Sequence, residues 1–293
     1  MASNHRLLPI LATVLGIALF SIMDAFMKRA SISDGVYSAM LLRSVIAGIA
    51  TAVIWRAGGG RWPTDAVLKL HALRGFICCI MAVSFFYGLV RTPMAQGMAL
   101  SFIAPLIALY LAAVLLGEQI RREAIIASLL CFAGVLVIAA ERISTSPMGA
   151  EAAKGIAAVL LSAVLYAWNI ILQRQQAQLA SPIEVTAFQN FFVFLTLLPF
   201  LPFLWQMPGA AGIADISGAA VLATGALLLL SWAYARAEAQ ALVPIEYTAF
   251  IWAALMGWLW FDEGLTAGTL GGLVLILIGC WTGTRGPKAV AAT

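Results

Sequence analysis

Four ionisable side chains stand inside long apolar runs: Asp24, Arg43, Arg74 and Glu246. An ionised group at the centre of a membrane helix costs roughly 2.5–3.5 kcal/mol, so such residues face a protein interior, where they pair, carry protons or bind a charged ligand. Glu246 lies about 9 Å into an apolar run at 1.5 Å per helical residue, beside Pro244, Tyr247 and Thr248. Proline removes a backbone hydrogen bond, and an acid beside a loosened helix suits a substrate amine or a proton. Arg74, at a similar depth from the same face, suits Glu246 equally well as an ion-pair partner. Ser21, Asp24 and Lys28 share one helix face, and Arg43 lies at a depth comparable to Asp24. Asp24 and Arg43 either pair or bind the amine and carboxylate of a zwitterion.

Neutral polar and aromatic groups accompany these charges. Tyr166, Asn169 and Gln173 form one face of a single run, with Trp168 beside it. Amides and hydroxyls there bind substrate or join helices at about 1 kcal/mol each. Tyr87, Phe102, Trp232 and Tyr247 stand on runs with polar faces and either line a cavity or pack as ordinary bundle residues. Trp55, Trp258 and Trp260 lie near run ends and read as an interfacial belt. Gln96 opens a run, and Gln189 and Asn190 sit within a Phe-rich one. The candidate substrate-binding set is Asp24, Tyr87, Phe102, Tyr166, Trp168, Asn169, Trp232, Glu246 and Tyr247. Asp24, Arg43, Arg74 and Glu246 are the candidate ion pairs or proton sites. In this assignment Asp24 and Glu246 meet an amine, Asn169 and the tyrosines a carboxylate, and Trp168 and Trp232 a side chain.

Motifs for chemistry on a substrate are absent. The chain has no HExxH helix, GxSxG elbow or GxxxxGK[ST] phosphate loop, and its only histidines are His5 and His71. Cys78, Cys79, Cys131 and Cys280 lie in apolar runs without zinc-type spacing. The expectation is a non-enzyme with no metal and no cofactor. No basic stripe marks a nucleic-acid partner.

The elements that hold these residues follow from composition. The 293 residues are 63% hydrophobic and 10% charged, against about 25% charged in soluble domains. Lipid is the implied solvent, and continuous apolar runs of about 20 residues point to spanning helices rather than barrel strands. Ten spans are predicted, at about 8–28, 35–55, 70–90, 94–116, 122–140, 153–173, 183–204, 214–235, 240–260 and 266–284. The first run is too long for a signal-peptide core and ends in Lys28-Arg29 rather than a cleavage site. With the N-terminus cytoplasmic, ten loop Lys and Arg fall inside (Arg6, Arg56, Arg61, Lys69, Arg121, Arg122, Arg174, Arg236, Arg285, Lys288) and five outside (Lys28, Arg29, Arg91, Arg142, Lys154). That bias predicts both termini on the cytoplasmic side of a bacterial-type inner membrane.

One offset of 145 positions aligns the two halves. Arg29, Arg91, Glu118 and Gly134 recur as Arg174, Arg236, Glu263 and Gly279, and Asp24, Tyr87 and Phe102 fall opposite Asn169, Trp232 and Tyr247. An odd number of spans per copy reverses the second copy, giving an inverted-topology repeat suited to alternating access. The predicted fold class is an all-α membrane protein of ten helices in two such repeats, residues 1–143 and 144–293, with the 141–154 stretch, which holds Ser144, Thr145, Ser146, Pro147 and Gly149, as the linker between them.

The motif Ala104-Pro105-Leu106, then Leu116-Gly117-Glu118 and Gly134-Val135, has a second copy in Ala249-Phe250-Ile251, Phe261-Asp262-Glu263 and Gly279. It resembles the EamA-type repeat of the drug/metabolite transporter superfamily over nearly the whole chain, and looks most like the YddG-type exporters of aromatic and other amino acids. Phe250 replaces the proline and Asp262 the glycine, which moves the expected kink of the ninth span, with Pro244 one position for it. The resemblance implies a basket of spans 1–4 and 6–9 around a central cavity, spans 5 and 10 at the periphery, and efflux of amino acids. The expected function is a secondary transporter exporting aromatic and other neutral amino acids and related amphipathic metabolites. Its partners are the small-molecule substrate and the lipid bilayer, and a monomer suffices. The rivals are a multidrug or lipophilic-cation exporter on the same fold, then a passive channel or a membrane-embedded enzyme.

Overall fold

In the computed structural model, residues 4–92, 94–101, 103–117, 120–143, 150–262 and 267–284 are described. Phe102, Glu118, Glu263, residues 144–149, Arg285 and Lys288 lie outside them, and the two ends of the predicted 141–154 linker are helical. The described residues form helices and short turns, with no strand among them.

Six helices or helical stretches are long and apolar enough to cross a membrane. They begin with α1 (Asn4–Asp34), α2 (Val36–Ala57) and α3 (Asp65–Arg91), and continue with α7 (Ala150–Leu179), the stretch opened by α8 (Pro182–Leu197), and α10 (Ala210–Arg236). The remainder are α4 (Met94–Ser101), α5 (Ile103–Leu116), α6 (Arg122–Ile143), α9 (Leu201–Leu204), α11 (Ala239–Glu246), α12 (Ala249–Phe261) and α13 (Ala267–Thr284). Among the described residues the predicted spans fall on helix, and two of them are subdivided.

The span at 183–204 ends its α-helix at Leu197 and continues as a 3-10 turn, Leu198–Phe200, before α9. Pro199 and Pro202 have no N–H to carry the α-helical ladder onward. In the span at 94–116 the described residues on both sides of position 102 are helical, as α4 and α5. The span at 240–260 divides into α11 and α12 at Tyr247–Thr248, three residues beyond Pro244. There the bonding tightens to i→i−3, from Thr248 N to Ile245 O at 2.9 Å and from Ile251 N to Thr248 O at 3.0 Å. Ser21 on α1 donates its hydroxyl to the Ala249 carbonyl at 3.3 Å, satisfying backbone polarity at the break.

Long helices pack in antiparallel pairs. Arg29 pairs with Asp215, and Gly16 meets Leu230, so α1 runs against α10. Gly88 meets Val159, and Gly155 meets Arg91, so α3 runs against α7. Tyr37 donates to Leu197 O at 2.9 Å while Trp55 packs on Phe188, which sets α2 against α8. Gly134 lies against Gly272 and Gly279 against Cys131, placing α6 against α13. Small residues at these crossings let the backbones approach closely.

Local geometry recurs at the same offset of 145 positions. Gly117 (φ 68°) ends α5, and Asp262 (φ 52°) ends α12, both left-handed. Glycine adopts that conformation freely, and aspartate is among the few other residues that tolerate it. Arg91 lies over the Tyr87 ring at 3.5 Å and donates to Tyr87 O; Arg236 lies over Trp232 at 4.3 Å and donates to Trp232 O.

Large apolar residues such as Leu11, Ile49, Val53, Phe203 and Val221 are exposed on the outer surface, as lipid-facing residues must be. The interior holds two apolar clusters. One is built around Met27, Met40, Phe86, Tyr247 and Phe250, the other around Ile170, Ile171, Tyr234, Leu242 and Val243.

Candidate functional site

A cavity of about 180 Å³ opens between the two clusters, with residues of both in its wall. Its lining comes from α1–α4, α7, α8, α10, α11 and α12, and none of the described lining residues belongs to α6 or α13. Of the residues singled out from sequence, Asp24, Arg43, Arg74, Tyr166, Asn169 and Glu246 line it, as do Gln173, Gln189 and Asn190.

Glu246 is the last residue of α11 and is 3% exposed. Tyr166 on α7 donates to its Oε2, and Tyr234 on α10 donates to its Oε1 at 2.6 Å. The carboxyl group thus ties three helices together at the point where the next one bends. The pairing of Glu246 with Arg74 weighed from sequence is not the one formed. Equal depth along two helices does not fix which way they face, and α7 supplies Arg74 with other partners.

Arg74 on α3 is 1% exposed and points at three amide oxygens of α7. Its Nε donates to Asn169 Oδ1 at 2.9 Å, Nη1 to Gln176 Oε1 at 2.8 Å, and Nη2 to Gln173 Oε1 at 3.2 Å. Cys78 Sγ also donates to Asn169 Oδ1, at 2.9 Å. The spacing 169, 173, 176 is the i, i+4, i+7 stripe of one helix face. Toward the other end of the same pair of helices, glycines at 88 and 155 allow close approach: a Cβ on Gly88 would lie 2.5 Å from Val159 Cγ2 and 2.7 Å from Gly155 O.

Asp24 and Arg43 both face the cavity and attract one another electrostatically, but no ion pair joins them. Arg43 Nη1 instead approaches Met23 Sδ at 3.4 Å, and its Nε has no hydrogen-bond partner among the described residues. Gln173 Nε2 and Gln189 Oε1, also buried in the cavity wall, have none either. Buried polar groups left in that state cost about 1–3 kcal/mol each. The wall therefore offers a carboxyl group, a guanidinium and further donors and acceptors. It is otherwise apolar, with Phe20, Phe85, Met81, Met98 and Leu227 prominent.

The remaining sequence candidates lie elsewhere. Trp168 is 43% exposed, on the side of α7 turned away from the cavity. Tyr87 and Trp232 are covered by Arg91 and Arg236. Tyr247 is fully buried in the first apolar cluster. Phe102 lies outside the described residues. Sequence reasoning did not single out Phe20, Met23, Met81 or Ser162 as lining residues, because apolar and small side chains carry no polar signal within an apolar run.

The helices, the cavity among them with its buried charged and amide groups, and the lipid-facing exterior define a multi-pass membrane transporter. The family description "EamA-like transporter family" matches residues 7–140 and again 153–283, so the chain belongs to that family. It is 26% identical to the pseudopaline exporter CntI of Pseudomonas aeruginosa over 95% of this chain and 96% of that one. It is 23% identical to the S-adenosylmethionine uptake transporter of Rickettsia prowazekii over 71% of this chain and 69% of that one. A solved crystal structure superposes with a TM-score of 0.73 at 19% identity, covering 93% of this chain and 96% of that chain, a likeness of fold. These named relatives are transporters rather than enzymes, and neither is named as an aromatic amino-acid exporter.

Proposed function

We propose that the protein is a secondary transporter that exports small zwitterionic metabolites of the amino-acid type across a bacterial inner membrane. The observation that carries this reading is the Asp24–Arg43 arrangement: opposite charges facing one cavity without an ion pair between them. An α-amino acid supplies the complementary ammonium and carboxylate, and the Phe20, Phe85 and Met wall accepts its side chain. Glu246 and Asn169 line the same cavity and serve as further groups for the amine and carboxylate. A lipophilic cation satisfies Asp24 but leaves Arg43 against a positive ligand, which disfavours the multidrug reading. The relatives named for pseudopaline and for S-adenosylmethionine support transport of polar metabolites while differing in direction, so export here rests on the likeness to the exporter.

Ten spans in two inverted repeats, residues 1–143 and 144–293, complete the reading. Support comes from the two family matches and from geometry repeated at one offset. Under the shift of 145 the antiparallel pair α1–α10 corresponds to α7–α3, and Cys131 donates to the carbonyl of Ile276, its own counterpart, at 3.4 Å. Rocking of one half against the other would expose the cavity alternately. Both termini are cytoplasmic in this arrangement, and a monomer contains the whole cavity.

Binding to purified protein tests the substrate class. Labelled leucine, phenylalanine and methionine are expected to bind competitively in wild type, and Asp24→Asn is expected to weaken them at least tenfold. Equal binding of amino acids and of the corresponding amines lacking a carboxylate would refute the zwitterion assignment.

A further inference from the structure

A second titratable site lies outside the group just described, at the end of the bundle where α2, α3, α7 and α8 meet. His71 on α3 is fully buried, with its ring stacked on Phe188 at 4.9 Å. Its Nε2 lies 3.3 Å from Glu184 Oε1, and its Nδ1 lies 2.8 Å from Gln176 Nε2. Gln176 Oε1 accepts from Arg74 Nη1 at 2.8 Å. The groups run in series from Glu184 through His71 and Gln176 to the cavity arginine.

The chemistry of this series leaves one proton arrangement. Arginine has only donors, so the Gln176 atom facing it must be the oxygen. The Gln176 nitrogen is then the atom facing His71, and an NH2 group needs an acceptor. His71 Nδ1 must carry a bare lone pair, its proton must sit on Nε2, and that proton is donated to Glu184. The tautomer is set by an arginine two links away. The charged groups facing His71 are Glu184 from α8 and Arg74 from its own helix; α7 presents the neutral Gln176, and α8 adds the Phe188 ring.

We propose that His71 is a proton-binding site coupled to the substrate cavity through the side-chain amide of Gln176. A proton added to Nδ1 turns that nitrogen into a donor aimed at the Gln176 NH2. The amide relieves the conflict by rotating, so that its oxygen accepts from Nδ1–H. Its NH2 then faces the Arg74 guanidinium, donor against donor, and the Arg74–Gln176 bond is lost. Arg74 keeps Asn169 and Gln173 and gains freedom to turn a donor into the cavity. Acidification at this end of the bundle thereby strengthens the site for a carboxylate. Only this last step rests on the cavity being the substrate site; the proton arrangement and its transmission to Arg74 stand apart from it.

Two measurements on the full-length protein in lipid nanodiscs test the coupling without a substrate. In the His5→Asn variant His71 is the sole imidazole, and histidine labelled with nitrogen-15 reports each ring nitrogen separately. The expected neutral form has a bare Nδ1 and a protonated Nε2; the opposite tautomer would overturn the proposal. The second measurement follows modification of Arg74 by phenylglyoxal, with Arg43 in the same cavity as reference for the reagent's own pH dependence. The Arg74-to-Arg43 ratio is expected to rise about tenfold as pH falls through the His71 titration, the size of one hydrogen bond to a charged group. It is expected to be flat in His71→Gln and in Gln176→Leu. A flat ratio in wild type, or the same rise in His71→Gln, would overturn the coupling. Loss of amino-acid binding with the ratio intact would refute the transport reading alone.

Discussion

Tyr234 on α10 donates its hydroxyl to Glu246 Oε1 at 2.6 Å, while Tyr166 on α7 occupies the other oxygen of the same carboxyl group. Two donors from different helices meet one acid at the C-terminus of α11, immediately before the chain bends at Tyr247–Thr248. The acid thereby fixes where α11 stops relative to the cavity.

Glu246→Gln replaces one acceptor oxygen by an NH2 that faces a tyrosine hydroxyl, so one tyrosine must reverse. Thermal unfolding in detergent is expected to show a loss of about 1–3 kcal/mol, the cost of one disturbed buried hydrogen bond. Transport is expected to fall at least tenfold. Unchanged transport and unchanged pH dependence would remove Glu246 from the mechanism.

Asp24 and Arg43 are expected to divide the substrate between them. Asp24→Asn should weaken ligands that carry an ammonium group and spare carboxylates that lack one. Arg43→Gln should do the reverse. Competition assays with an amino acid, its amine and its carboxylate analogue separate the two effects. An identical loss for every ligand in both variants would point to a structural role instead.

Gly88 lets α3 and α7 approach closely where it meets Gly155 and Val159. Gly88→Leu drives a side chain into Val159 and the Gly155 carbonyl, an overpacking expected to cost about 1–3 kcal/mol. Chemical denaturation of the solubilised protein reads this loss, and wild-type stability in the variant would contradict the packing described.

The two aromatic–arginine pairs offer a test of the aromatic assignments. Tyr87→Leu and Trp232→Leu each remove a ring beneath an arginine at a helix end, an interaction of about 0.5–1 kcal/mol at exposed sites. With neither ring in the described cavity wall, substrate affinity is expected to stay within about twofold. A tenfold loss of affinity would place these rings in the transport path.

Much of the architecture was legible because lipid demands a simple signal. Runs of 20 apolar residues announced helices, and buried charge marked the faces turned inward. Asp24, Asn169 and Glu246 were found in this way, and all three line the cavity. The pairing among buried charges was not legible, since spacing gives depth and helix face but not the rotation of one helix against another. Arg74 therefore found the amides of α7 rather than Glu246. The break lies at Tyr247–Thr248, three residues beyond Pro244, whereas the hydrogen bond that a proline removes is the one to the preceding turn, so Pro244 does not account for it. Asp262, which departs from the glycine pattern, still adopts the left-handed cap of Gly117 because a short polar side chain tolerates it. Trp168 sits beside the polar face in sequence yet projects about 100° away from Asn169 around a helix of 3.6 residues per turn.

The central claim is tested most directly in proteoliposomes loaded with labelled amino acids, following efflux from wild type, Asp24→Asn and Arg43→Gln. Saturable efflux is expected, competed away by unlabelled amino acids and reduced by both substitutions. Efflux of lipophilic cations with none of any amino acid would contradict it, leaving the fold in place and assigning the cavity to another class of substrate.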